Sequence, residues 1–129
     1  WNQILGHRIG PNSDEIFTRI AYNVNEWIRL NFEYQYIRHG ENIYDSQGAL
    51  SFNAGGNVFV PHRGGIDPVQ IEFLDGERIN TNIFTIGFRF EPVRQFVFDL
   101  VLKEVMKKNI THNISDNSSY AYLKMMFEM

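Results

Sequence analysis

Residues 28–36 read Ile28, Arg29, Leu30, Asn31, Phe32, Glu33, Tyr34, Gln35 and Tyr36, so every even position is apolar or aromatic and every odd one polar. Successive side chains of a strand point to opposite sides, and this alternation predicts a strand with two unlike faces. The pattern returns. Phe84, Ile86, Phe88 and Phe90 alternate with Thr85, Gly87, Arg89 and Glu91, and Phe96, Phe98, Leu100 and Leu102 with Gln95, Val97, Asp99, Val101 and Lys103. Ile16, Ile20 and Tyr22 make a weaker set against Arg19 and Asn23, and Leu123, Met125, Phe127 and Met129 carry a last strand to the end of the chain. Five strands are predicted.

The connections differ in length. Tight ones are expected near Val24, Asn25 and Glu26 and near Pro92, Val93 and Arg94. Two long loops are expected, at about residues 39–77 and 107–119. The first carries Gly55-Gly56, Gly64-Gly65 and Asp75-Gly76 as turn signals. Asp75-Gly76 follows Val69, Ile71 and Phe73, which predicts a hairpin pairing residues 69–74 with the start of the third strand. Register follows from the tight turns. Tyr22 is expected opposite Ile28 and Phe90 opposite Phe96, with Arg19 diagonal to Glu33 and Arg89 diagonal to Asp99.

Tight turns at one end and long loops at the other form the layout of an outer-membrane barrel. The expected architecture is all-β, an antiparallel up-and-down meander of about five strands belonging to a transmembrane β-barrel, with residues 1–129 as a single segment. Ile28, Leu30, Phe32, Tyr34, Phe84, Ile86, Phe88, Phe96, Phe98 and Leu100 would then face lipid. Arg19, Arg29, Asn31, Glu33, Gln35, Arg89, Asp99 and Lys103 would face the lumen. A soluble up-and-down barrel shows the same alternation with its faces exchanged, so periodicity leaves both readings open. Five strands also fall short of the usual minimum of eight, and open edges are not tolerated in hydrocarbon. The remaining strands of the same barrel are expected from a longer chain. The chain opens on Trp1 with no signal segment before it, which is expected of a processed chain or a piece of a longer one.

Composition narrows the classes. Phe (11) and Tyr (6) concentrate in the alternating runs. No apolar stretch approaches the roughly 20 residues of a membrane-spanning helix. The mean hydropathy of -0.30 suits a barrel, whose spans raise it little. A net charge of -3 and a pI near 5.8 provide no basic footprint for nucleic acid. Cysteine is absent, which removes disulfides and thiolate metal sites.

His7, His39, His62 and His112 lack metal-ligand spacing and read as solvated loop residues; no metal or cofactor is expected. His112, Ser115, Asp116, Ser118 and Ser119 supply the residue types of a hydrolase, but Ser and Asp are also ordinary loop residues. Saccharide recognition uses aromatic faces against ring CH groups, with amides, carboxylates and guanidiniums for hydroxyls. Tyr44, Phe59, His62, Arg63 and Asp67 offer that mixture in the first long loop, with Phe52 nearby.

Leu5-Gly6-His7-Arg8-Ile9-Gly10-Pro11-Asn12-Ser13-Asp14-Glu15 resembles the Wzi family of bacterial capsule assembly proteins. The resemblance continues through residues 32–41, 73–76 and 88–92 and corresponds to the carboxy-terminal part of such proteins. It implies a barrel in the outer membrane of a Gram-negative cell that helps hold capsular polysaccharide at the surface, without enzymatic activity. Membrane lipid and capsular polysaccharide would be its partners. An outer-membrane channel, a soluble lipocalin-like binder and an outer-membrane hydrolase stand as the alternatives.

Overall fold

The computed structural model describes residues 8–94 and 96–127. The expectations placed on His7, on Gln95 and on a last strand reaching Met129 lie outside the described residues. Seven strands follow in order: β1 (Ser13–Asn23), β2 (Ile28–Glu41), β3 (Ile43–Tyr44), β4 (Leu50–Phe52), β5 (Glu77–Val93), β6 (Phe96–Asn109) and β7 (Ile114–Phe127). Five of them form one antiparallel sheet in the order β1-β2-β5-β6-β7, and β3 pairs with β4 in a separate ribbon. Every neighbour in the large sheet is the next long strand in sequence, so the expected meander is present.

Contacts divide the chain into two compact units. One holds residues 8–15, 37–80 and 108–115, and the other residues 16–36, 81–94, 96–107 and 116–127.

In the second unit the sequence alternation translates directly into two faces. Phe96 packs edge-on against Phe98 (4.3 Å between ring centres) and tilts against Phe127 (4.3 Å), while Phe90 stacks on Phe98 (6.3 Å) and Tyr34 on Phe84 (4.9 Å). All of these rings lie on the apolar face, yet that face has no cover. Ile20 is 59% exposed, Ile86 52% and Met125 61%, and Leu30, Phe32, Phe88 and Leu100 are exposed as well. The buried residues of this unit's central strands sit on the opposite face: Gln35, Gly87 and Val97, each flanked along its strand by less buried apolar-face residues. Among the described residues only Ala54, Ile79 and Val97 are buried hydrophobics. The sheet therefore has no hydrophobic core of its own.

The turn between β1 and β2 is built by Asn25, whose Oδ1 accepts the N–H groups of Trp27 (2.9 Å) and Ile28 (2.8 Å). Val24 N–H donates to the Ile28 carbonyl (2.9 Å). Val24 thus pairs with Ile28, and counting down the ladder from that pair brings Tyr22 opposite Leu30 rather than Ile28. Arg19 accordingly meets Glu33 directly, its Nε 2.6 Å from Oε1. Across β5 and β6, Phe90 likewise stacks on Phe98, and Arg89 Nε lies 3.9 Å from Asp99 Oδ1. Both expected charge pairs form, and between β1 and β2 the shift of two turns the expected diagonal into a facing pair.

The second long loop is a correction. β6 continues to Asn109 and β7 begins at Ile114, leaving a connection of residues 110–113 in place of 107–119. Asn109 Oδ1 accepts His112 N–H (3.0 Å), Ile110 N–H donates to the Arg78 carbonyl (2.8 Å), and Asn113 takes the left-handed conformation (φ 54°) that Asn tolerates well. Residues 115–119 are polar on both strand faces and nearly all exposed, so no alternation marked them as strand. Backbone pairing holds them in the sheet.

Candidate functional site

The one long insertion, residues 42–76, lies in the first unit and is organised by Asn12. This residue has a left-handed backbone (φ 49°), and Gly40 N–H donates to its carbonyl at 2.9 Å. Its side-chain amide nitrogen lies 2.9 Å from the Gly40 carbonyl and 3.1 Å from the carbonyls of Ala54 and Asp75, while its Oδ1 accepts Leu74 N–H at 2.7 Å. One side chain thus ties the start of β1 to the end of β2 and to both arms of the insertion. Leu74 is itself left-handed (φ 65°), which is incompatible with the hairpin expected over residues 69–74; that segment forms no strand.

Close backbone approach explains Gly40 and Gly56. A Cβ at Gly40 would collide with the Asn12 amide and with the backbone of Leu74 and Asp75, and one at Gly56 with the backbone of Gly40 and Glu41. The interior of the insertion is polar. Asn42, 2% exposed, accepts Gly56 N–H at 3.1 Å, and buried Asn53 donates to Asp67 Oδ2 at 3.0 Å while accepting Gly55 N–H at 3.1 Å. Short polar side chains of this kind satisfy buried backbone groups where no strand ladder reaches them.

Arg63 and Asp67, expected to meet a ligand, instead hold each other. The Asp67 side chain is only 1% exposed and accepts Arg63 N–H (2.7 Å), Nε (3.0 Å) and Nη2 (2.6 Å), and Arg63 Nη1 donates to the Leu50 carbonyl (2.7 Å). The Arg63 side-chain hydrogen bonds, with those from its backbone and from Asn53, hold the Asp67 carboxyl well below the usual carboxylate range, outweighing desolvation; Arg63 is raised in turn. Tyr44, Phe59 and His62 do remain exposed, Phe59 at 68%. Three of the five expected recognition residues are therefore at the surface of the insertion, and two are part of its frame.

The residue types for hydrolysis do not converge. His112 sits in the β6–β7 turn with Nε2 3.6 Å from Glu77 Oε1, and Ser115, Asp116, Ser118 and Ser119 are spread along β7. A second Ser–His contact, Ser13 with His39 Nδ1, arises across β1 and β2, but the Ser13 hydroxyl also lies 2.9 Å from the Pro11 carbonyl and 3.2 Å from that of Ile9. The hydroxyl therefore has carbonyl acceptors as well as the imidazole within reach, and which of them takes its proton follows the His39 tautomer. No group of three or more His, Cys, Asp or Glu among the described residues could hold a metal ion.

Comparison with family profiles, with curated proteins and with solved structures gave no match.

The polar face of the second unit carries the remaining expected residues. Arg19 pairs with Glu33 and also lies over the Phe17 ring, 6.0 Å from its centre. Arg29, Asn31, Thr85 and Gly87 line a cleft of about 320 Å³ with that pair, closed on one side by Val101 and Tyr122. A Cβ at Gly87 would make ordinary contact with the Asn31 side chain, at 3.5 Å. Gln35 is buried on this face with no hydrogen-bond partner for Nε2. Sequence reasoning missed Asn12, Asn42 and Asn53; the only signal was the run Gly10-Pro11-Asn12, quoted for its resemblance and not for its hydrogen bonding.

Proposed function

We propose that this chain is part of an outer-membrane β-barrel whose apolar face meets lipid and whose polar face lines the lumen, and that the protein attaches or assembles surface polysaccharide without catalysing a reaction. The observation that carries the membrane reading is the exposure pattern of the second unit. On a curved sheet, side chains on the concave side crowd one another and lose accessibility. Here the buried residues of the central strands, Gln35, Gly87 and Val97, are on the polar side, whereas Leu30, Phe32, Ile86, Phe88 and Leu100 on the apolar side are exposed. A soluble barrel needs the reverse curvature, apolar side in. Contiguous apolar surface of this extent requires a cover, and lipid supplies it on a convex face. The edges β1 and β7 must then be paired by further strands, because unpaired backbone groups in hydrocarbon cost several kcal/mol each.

The polysaccharide reading rests on the resemblance to capsule assembly proteins, supported by the exposed Tyr44, Phe59 and His62 on a rigidly framed insertion. Replacing these three with Ala in the full-length protein should release capsule into the medium while leaving heat-modifiability of the barrel intact. Unchanged retention in a folded triple variant would remove the insertion from polysaccharide attachment. A channel is favoured as a second reading by the charged polar face; under it Arg89→Ala with Asp99→Ala alters conductance in planar bilayers while the triple variant does not.

A further inference from the structure

In the second unit the β1–β2 turn folds against β5 through a bond from Glu91 N–H to the Trp27 carbonyl (2.8 Å). The result is a cleft of about 430 Å³ lined by Asn25, Glu26, Trp27, Arg29, Arg89 and Glu91, with Asn23 and the apolar Ile28 also in its wall. Its size is that of a small-ligand site. Trp27 is 53% exposed, and it lines this cleft together with the polar-face residues.

The groups around the indole are available. Asn25 uses Oδ1 for the turn, leaving its amide N–H groups free to donate. Arg29 has no ion-pair partner among the described residues, and Arg89 touches Asp99 only through Nε at 3.9 Å, leaving the rest of its fork toward the cleft. The Glu91 carboxylate accepts no hydrogen bond among the described residues. Donors and acceptors thus surround one aromatic plate, and the charges cancel: Arg29 and Arg89 against Glu26 and Glu91. A polyanion gains nothing from such a balance. A sugar ring offers a CH face to the indole and hydroxyls that both donate and accept, matching guanidinium and carboxylate alike.

We infer that this cleft is a subsite for a pyranose unit of a neutral saccharide, with Trp27 as the stacking platform and Arg29, Arg89 and Glu91 as hydroxyl partners. The inference rests on the polysaccharide reading above and deepens it by naming the class of sugar and a second place of contact. The test uses the full-length protein in detergent micelles, labelled with 5-fluorotryptophan, the Trp27 resonance being assigned by its loss in Trp27→Phe. Maltohexaose, cellohexaose and mannohexaose are the neutral probes, and hexameric oligogalacturonate the acidic one, with calorimetry run in parallel. At least one neutral hexamer should move the Trp27 resonance, and Arg29→Gln and Trp27→Ala should each weaken that probe's binding about tenfold, as truncating a central contact does. Heat-modifiability establishes that each variant is folded. Binding by calorimetry that leaves the Trp27 resonance in place would overturn the subsite while the polysaccharide reading stands. A response to oligogalacturonate alone would overturn the neutral assignment, and binding of no probe at all would overturn both.

Discussion

Phe98 lies one residue from the middle of the apolar row Phe96, Phe98, Leu100 and Leu102 on β6, about 3.4 Å along the strand from its centre. If that row crosses hydrocarbon, Phe98 is close to the midplane. Two effects then separate. Phe98→Ala removes an edge-on contact to Phe96 and a stack on Phe90, worth together about 1–3 kcal/mol at roughly 0.5–1.5 kcal/mol per aromatic pair. Phe98→Arg loses the same contacts and adds about 2–4 kcal/mol for a cation at mid-bilayer. In water the added charge on an exposed strand face changes stability by only about 0.5 kcal/mol. The difference between the Arg and Ala variants is therefore the diagnostic quantity, because it cancels the ring contacts. Val101→Arg on the polar face is the control and should fall within about 0.5 kcal/mol of the parent. The assay is reversible urea unfolding of the full-length protein in phosphatidylcholine vesicles, followed by tryptophan emission and gel mobility. Equal stability of Phe98→Arg and Phe98→Ala would refute lipid contact on this face and with it the assignment of the convex side.

Gly40→Ala should destabilise the insertion by about 1–3 kcal/mol through overpacking against Asn12 and the backbone of Leu74 and Asp75, seen as faster proteolysis of residues 42–76; Gly64→Ala, where a Cβ meets nothing within 4 Å, is the matched neutral change. The depressed Asp67 carboxyl predicts acid loosening of the same segment. A folded pKa below the unfolded value of about 3.9 means that the stabilisation is fully present above pH 4 and is lost as pH falls through the folded value. Protease susceptibility of the insertion should rise below about pH 4, and Asp67→Asn should abolish that rise. For topology, a membrane-impermeant maleimide added to intact cells should label Asn57→Cys and leave Glu26→Cys untouched, and labelling of Glu26→Cys with the membrane intact would invert the orientation.

The strand faces were legible in the sequence because each central strand separates two unlike surroundings, and a two-residue period records that contrast directly. Ile28, Leu30 and Phe32 against Arg29, Asn31 and Glu33 needed no partner to be assigned, and the charge pairs Arg19–Glu33 and Arg89–Asp99 followed from the same alternation. Where both faces meet water the contrast vanishes, and residues 115–119 joined β7 without any sequence mark. Register escaped as well, since a slip of two residues changes every pair while leaving each side chain on its face, so the alternation does not record it. The insertion was readable only as glycine-rich and polar. Its order comes from Asn12 reaching carbonyls 28, 42 and 63 positions away and from Asp67 turned inward onto Arg63; contacts at such separations leave no period in the chain. The burial of Gln35, Gly87 and Val97 likewise belongs to the assembled strands, because it arises only when neighbouring strands are brought together.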